Sequence, residues 1–273
     1  MSRTKAQTTV GAVAYHPRVV TIWERFCEWF NTQGAPTDYL LFSNYERLVD
    51  AVLDRAVDVG WNTNTAFVAL EQRLGGEARI LGMRDIDANF ATVIVTRRDQ
   101  RFVDPQELAG RRLALGSRDS GHGAILPLYY LERQGLDART ACELVRFDTD
   151  LGKHGDTGGS ELHVVRAVAA GRADAGALGD ITWARFRSEG LSEAGGLEVS
   201  WRSPLYYHCN FTALPDIEPE RALRWKRALL AMSYDDPSMR HAMTLEGVRR
   251  WLPGDRTGYE TLAAAMQSDH ATA

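Results

Sequence analysis

The residues able to do chemistry gather in four polar turns. These are Tyr15-His16-Pro17, Trp61-Asn62-Thr63-Asn64-Thr65, Gly116-Ser117-Arg118-Asp119-Ser120-Gly121-His122-Gly123 and Lys153-His154-Gly155-Asp156-Thr157-Gly158-Gly159-Ser160-Glu161. Each follows an apolar, strand-like run and precedes a helical pattern. Backbone N–H groups of a first helical turn lack intrahelical partners, so short hydroxyl and amide side chains beside them build a site for an anion or a polar ligand. Asn62 and Asn64 can orient such a ligand or cap and turn the chain; Asp119 and Ser120 can contact it or cap the next helix. Trp61 can line the site or pack in the core, and His154 and Asp156 can serve it or sit on a solvated loop.

Histidines and carboxylates on these segments widen the choice. His16, His122, His154 and His208, with Asp119 and Glu161, could hold Zn or Fe(II), with Asp119, His122 and Glu161 as the ligand set. His122, His154, Glu161 and His208 could instead supply acid and base groups near neutral pH. No local metal motif such as His-Glu-x-x-His accompanies them. On an extended segment, alternation puts Tyr206 and His208 on one face and Tyr207 on the other. Cys27 lies among Phe26, Trp29 and Phe30 and reads as a buried thiol; Cys209 adjoins a candidate site residue, with no base placed beside it by sequence.

The elements that must position these groups alternate. A strand over 8–15 leads into a helix whose Val19, Ile22, Trp23, Phe26, Trp29 and Phe30 share one face. Strand 39–42, helix 45–56, strand 57–61, helix 65–74 and strand 79–82 follow. After strand 91–96, Asp104-Pro105-Gln106-Glu107-Leu108 opens a helix. Strand 112–115, helix 123–134, strand 144–147, helix 161–170, strand 173–178 and helix 181–188 then repeat the cycle. The apolar run 205–213 precedes helices 219–233 and 259–266. The expected architecture is α/β, with mostly parallel sheets flanked by helices in two lobes: 1–95 plus 206–273, and 96–205. Two crossings join the lobes, and the ligand cleft lies between them.

Composition narrows the function. A net charge of −4 among 273 residues offers no basic surface for nucleic acid. Three scattered cysteines make no disulfide framework or zinc-finger spacing. No apolar run reaches the roughly 20 residues of a membrane span, and the apolar stretch from Val10 to Tyr15 is too short for a secretory core. As written, the chain is expected in the cytoplasm, or in the periplasm if a leader has been removed.

Several stretches, in order along the chain, resemble the phosphate/phosphonate/phosphite branch of type 2 periplasmic binding proteins, the solute receptors of ABC transporters. They are Asn44-Tyr45 through Val52 with Val57-Asp58-Val59, Asp119-Ser120-Gly121 with Pro127, Ala167-Val168-Ala169-Ala170-Gly171-Arg172-Ala173-Asp174-Ala175, and Trp251-Leu252-Pro253-Gly254-Asp255 with Tyr259. The resemblance implies a two-strand hinge and an oxyanion held by helix-start N–H groups and hydroxyls, with Tyr45, Ser120, Gly121 and Ser160 facing it. It implies an ABC permease as partner if the protein is exported. Two departures stand out. Arg118-Asp119-Ser120-Gly121-His122 replaces a Ser-Thr-Ser-Gly-aromatic pattern, and Ser160-Glu161 replaces Ser-His.

A carboxylate beside a doubly charged oxyanion costs Coulomb energy. Asp119, Glu161 and Asp156 thus disfavour simple phosphate and suit a cation, an amide-rich ligand or a metal ion. The expected function is binding of a small polar ligand by Tyr15, His16, Tyr45, Trp61, Asn62, Asn64, Asp119, Ser120, Gly121, His122, Ser160, Glu161, Tyr206 and His208. The alternative is a cytoplasmic enzyme on the same fold, acting through its histidines and carboxylates on a small metabolite.

Overall fold

A computed structural model describes residues 7–272, with side chains through 268. Residues 1–6, on which the leader expectation partly rests, and residue 273 lie outside the described residues. In chain order the elements begin β1 (Thr8–Val13), α1 (Arg18–Thr32), β2 (Thr37–Phe42), α2 (Tyr45–Leu53), β3 (Val59–Asn62), α3 (Asn64–Arg73) and β4 (Arg79–Arg84). They continue with β5 (Thr92–Arg97), β6 (Arg112–Leu115), α4 (Leu126–Arg133), α5 (Ala138–Ala141), β7 (Glu143–Arg146), α6 (Gly159–Ala169), β8 (Ala175–Gly179), α7 (Asp180–Ser188) and β9 (Leu197–Arg202). The chain ends with β10 (Asn210–Ala213), α8 (Pro219–Ala231), α9 (Pro237–Glu246), β11 (Trp251–Leu252) and α10 (Glu260–Thr272). They form two units, Met1–Asn89 with Tyr207–Tyr259 and Phe90–Tyr206 with Glu260–Ala273.

The first unit is built on a six-stranded sheet in the order β11-β4-β10-β3-β1-β2. β1 pairs in parallel with β2 and β3, whereas β10 is antiparallel to both β3 and β4. One reversed strand is therefore wedged between two that point the same way. The apolar stripe of α1 buries Val19, Ile22, Trp23, Phe26 and Phe30 against one sheet face. There Phe30 stacks on Trp225 at 4.6 Å and Trp61 meets Phe211 at 4.4 Å. Trp29, at the stripe's edge, is half-buried and donates its indole N–H to the Ala228 carbonyl at 2.9 Å. The other face is covered by Leu48, Val49 and Val52 of α2 with Ala66 and Leu70 of α3.

The second unit repeats the plan over five strands, ordered β7-β6-β8-β5-β9. β6, β7 and β8 are parallel, and β5 is the reversed strand, antiparallel to β8 and β9. Asp104 and Glu107 form the capping box expected there, but the helix they open is one short 3-10 turn. The helix expected over 123–134 starts instead as a π turn at Gly121–Ile125. Pro127 has no N–H to return to the Gly123 carbonyl, which accepts from Gly116 N at 2.9 Å instead.

Two expectations change. The reversed strands make both sheets mixed, and the unit boundaries move. β5 pairs with β8 over five residues, and α10 packs against α4, so both belong to the second unit, and the chain changes unit three times. Four elements escape the sequence pattern, among them the single turn of α5. β9 and β11 have weak or minimal apolar runs, and α9 buries only Met239, Ala242, Met243 and Glu246.

Packing of α6 onto β8 depends on Gly176. A Cβ there would lie 2.5 Å from Val164 Cγ1 and 2.8 Å from Val168 Cγ2, on stiff β-branched side chains. Gly176→Ala is expected to cost about 1–3 kcal/mol by overpacking, read as a lowered urea midpoint.

Candidate functional site

In the first unit the strand-to-helix turn after β3 carries a pair of buried amides. Register sets Asn62 opposite Asn210 across β3 and β10. Both are fully buried; among the described residues neither Asn62 Nδ2 nor Oδ1 has a hydrogen-bond partner, while Asn210 interacts with the Tyr259 hydroxyl and its Oδ1 accepts from Thr212 Oγ1. Leaving a buried amide unpaired carries a desolvation cost, so Asn62 is set for something that can bond it. Asn64 is already engaged: its Oδ1 accepts from Thr65 N at 2.9 Å and its Nδ2 donates to the Tyr207 carbonyl at 3.4 Å. Thr63 caps α3 by accepting from Ala66 N at 3.2 Å.

The other residues proposed for this unit divide between core and surface. Trp61 is core, packed on Phe211 and Trp251, with the Arg84 guanidinium 5.3 Å above its ring. Tyr45 is buried in the cluster of Val13 and Leu48. Tyr15 is half-buried under Arg18, and His16 is exposed, its Nδ1 accepting from Arg18 N at 3.2 Å.

His208 belongs to a buried charged network that local sequence does not announce. Arg84 grips Asp87 through two bonds, Nε to Oδ2 at 2.6 Å and Nη2 to Oδ1 at 2.8 Å, and its Nη1 reaches the Glu246 carbonyl at 2.7 Å and Oε1 at 3.3 Å. His208 Nδ1 lies 3.5 Å from Asp87 Oδ1 and 3.0 Å from Cys209 Sγ. Asp87, His208 and Cys209 bring ligand-type atoms within 4.8 Å of one another, but the resident cation there is Arg84. Burial alone would raise the Asp87 pKa; the Arg84 charge and hydrogen bonds outweigh it and hold the carboxyl at about 2. Cys27 is half-buried rather than buried, and burial reinforced by Asp38 pushes its thiol up to about 12.

In the second unit the two long polar turns meet. His122 Nε2 lies 3.5 Å from Glu161 Oε1, both buried, and that same oxygen accepts from Gly179 N at 2.7 Å. Ser120 accepts from Gly123 N at 3.1 Å at the start of the π turn, whose first residue, Gly121, is buried. Tyr206 and Thr92 hydroxyls lie 2.9 Å apart, and Thr92 donates to the His122 carbonyl at 3.1 Å. Burial pushes the Tyr206 hydroxyl well above its usual range, with smaller contributions from Asp180 and Glu161, so it stays neutral. Ser160 Oγ is fully buried without a partner, and Ser160 N donates to Asp150 Oδ2 at 2.7 Å.

The turn preceding α6 lies against these groups. Gly155 has φ of +87°, and a Cβ there would sit 2.8 Å from Ser120 Oγ and 2.9 Å from His122 Nε2. His154 is buried in a left-handed conformation, φ 54°, with Nε2 4.0 Å from Asp119 Oδ2. Asp119 in turn accepts from Gly152 N at 2.5 Å. The expected ligand set of Asp119, His122 and Glu161 is thus brought together only as the His122–Glu161 pair; among the described residues the three make no metal-holding group. The four residues named for catalysis divide between the units, His208 in the first and the others in the second.

The family description "ABC transporter, phosphonate, periplasmic substrate-binding protein" matches residues 11–259. The chain belongs to that family. It is 22% identical over 234 residues, 82% of this chain and 75% of the relative, to a probable phosphite-binding protein of an ABC transporter from Prochlorococcus marinus (strain MIT 9301). A solved structure from that organism, in complex with methylphosphonate, superposes with a TM-score of 0.76 at 19% identity, covering 97% of this chain and 98% of that one. A Xanthomonas citri protein bound to ATP gives 0.76 at 21%, covering 98% and 99%. The binding component of a Pseudomonas aeruginosa phosphonate transporter gives 0.68 at 14%, covering 98% and 89%. The fold is that of type 2 periplasmic binding proteins. Among the described residues no helix is long and apolar enough to cross a membrane.

The low pKa of Asp87 sets a pH test. A carboxyl held at about 2, below its ordinary 3.8, stabilises the fold above pH 3.8, and that contribution is lost as pH falls through 2. The stability advantage of the native protein over Asp87→Asn, followed by urea unfolding at stepped pH, is expected to shrink by about 2 kcal/mol across that window. Arg84→Met, which leaves Asp87 buried and unpaired, is expected to cost about 3–5 kcal/mol at pH 7.

Proposed function

We propose that this chain is the receptor subunit of an ABC importer and that its ligand is a small phosphorus oxyanion of the phosphonate or phosphite class. The observation that carries this reading is a buried, unpartnered polar group in each unit, the Asn62 amide at the end of β3 in the first and the Ser160 hydroxyl at the start of α6 in the second. Each can donate a hydrogen bond, and a phosphoryl oxygen bonded by such donors needs no counter-charge from lysine or arginine. The Prochlorococcus relative named for phosphite, and solved with methylphosphonate, supports the class.

A permease partner and a periplasmic working place follow from the same reading. The acidic and histidine groups take another part than the ligand cage first expected of them. Glu161 holds His122 and the Gly179 amide, Asp119 holds the Gly152 amide, and Tyr206 and Thr92 fix the His122 backbone. They shape the donor set rather than form it.

Isothermal titration calorimetry with methylphosphonate, phosphite and inorganic phosphate tests the reading. One-to-one binding of at least one of them is expected, with Asn62→Leu and Ser160→Ala each weakening it about tenfold or more, the worth of a hydrogen bond to a charged group. Absence of binding by all three, or full affinity in both variants, would remove the phosphonate-class assignment.

A further inference from the structure

We infer that Asp150 is a resident carboxylate at the oxyanion position of α6 and selects against highly charged ligands. The inference rests on the ligand class proposed above and adds the residue that sets which protonation state of such a ligand, monoanion over dianion, the site accepts.

The start of α6 has the makings of an anion site: an eleven-residue helix whose first amides lack intrahelical acceptors and whose Ser160 hydroxyl is buried and, among the described residues, unpartnered. Asp150 reaches it first. Its Oδ2 accepts from Ser160 N at 2.7 Å and its Oδ1 from Thr157 Oγ1, while its own N–H is tied to Ser117 Oγ at 2.9 Å. Thr157 Oγ1 also accepts from Gly159 N at 3.0 Å, so both leading amides of α6 are taken. The Asp150 side chain is buried, and its carboxylate is held by the Ser160 amide and the Thr157 hydroxyl.

An unneutralised carboxylate held on a helix start does two things to an arriving oxyanion. It occupies amides the ligand would use, and it repels in proportion to the ligand's charge. A monoanion bonded through Ser160 Oγ alone pays half the repulsion of a dianion. Glu161, the next buried carboxylate along the same turn, acts in the same direction.

Asp150→Asn keeps the shape and the acceptor for Ser160 N while removing the charge. Affinity for inorganic phosphate, measured by calorimetry at pH 8, where the dianion dominates, is expected to rise about tenfold or more in this variant. The Ser160 amide resonance is expected to move on phosphate addition in Asp150→Asn and to stay still in the native protein. Asp150→Ser, which keeps a capping hydroxyl, serves the same comparison if the asparagine variant does not fold. Equal phosphate affinity in native and variant proteins, or a Ser160 amide that never moves, overturns the role given to Asp150. Methylphosphonate and phosphite binding by the native protein is scored separately: its failure removes the ligand class, whereas a phosphate gain at Ser160 in the variant would still stand.

Discussion

The first unit depends on strand β10 being accepted, reversed, between β3 and β4. A strand in that position must find a ladder on both sides at once, and all four of its residues are buried, so no edge is left to water. The segment entering it is fastened before the ladder begins. His208 N donates to the Asp87 carbonyl at 3.0 Å, and the Asp87 side chain is gripped by Arg84 at the end of β4. Because the register is set there, Asn210 arrives opposite Asn62 and the amide pair exists. Moving β10 by one residue would turn Asn210 to the other face of the sheet.

Buried polar groups in this protein fall into distinct energetic states. Those of the Arg84 network are neutralised by one another, and the caps at Thr63 and Ser120 are satisfied by backbone amides. Among the described residues a third set, which includes the Asn62 amide and the Ser160 hydroxyl at 0% exposure, has no partner. Against a background in which nearly all buried polar atoms are paired, such atoms mark where the fold expects something else. The binding reading draws on that contrast more than on the chemical type of any one side chain.

Much of this was legible in the sequence because it is local. The apolar stripe of α1, the capping box at Asp104 and the four polar turns depend on residues a few positions apart, and the structure puts them where periodicity and capping rules require. The order of family-like stretches pointed to the right fold. What was not legible is long-range. Asn210 becomes a site residue only through its pairing with β3, Asp150 only because its turn folds back onto α6, and Asp87 only through Arg84. Trp61 was ambiguous because an aromatic at a strand end serves a pocket or a core equally well; its contacts with Phe211 and Trp251 decide for the core. The unit boundary was misplaced for the same reason: β5 looks like a continuation of the first unit until its pairing with β8 is known.

Arg84 has a consequence for how this chain can vary. One guanidinium serves Asp87, Glu246 and the face of Trp61, positions far apart in the sequence. A lineage that replaced Arg84 alone would bury two carboxylates without a counter-charge, whereas one that first lost the acids would strand the cation. The three charged positions can only be exchanged together. In descendants of this protein they should be inherited as a block, kept whole or lost whole, even where the surrounding turns have diverged.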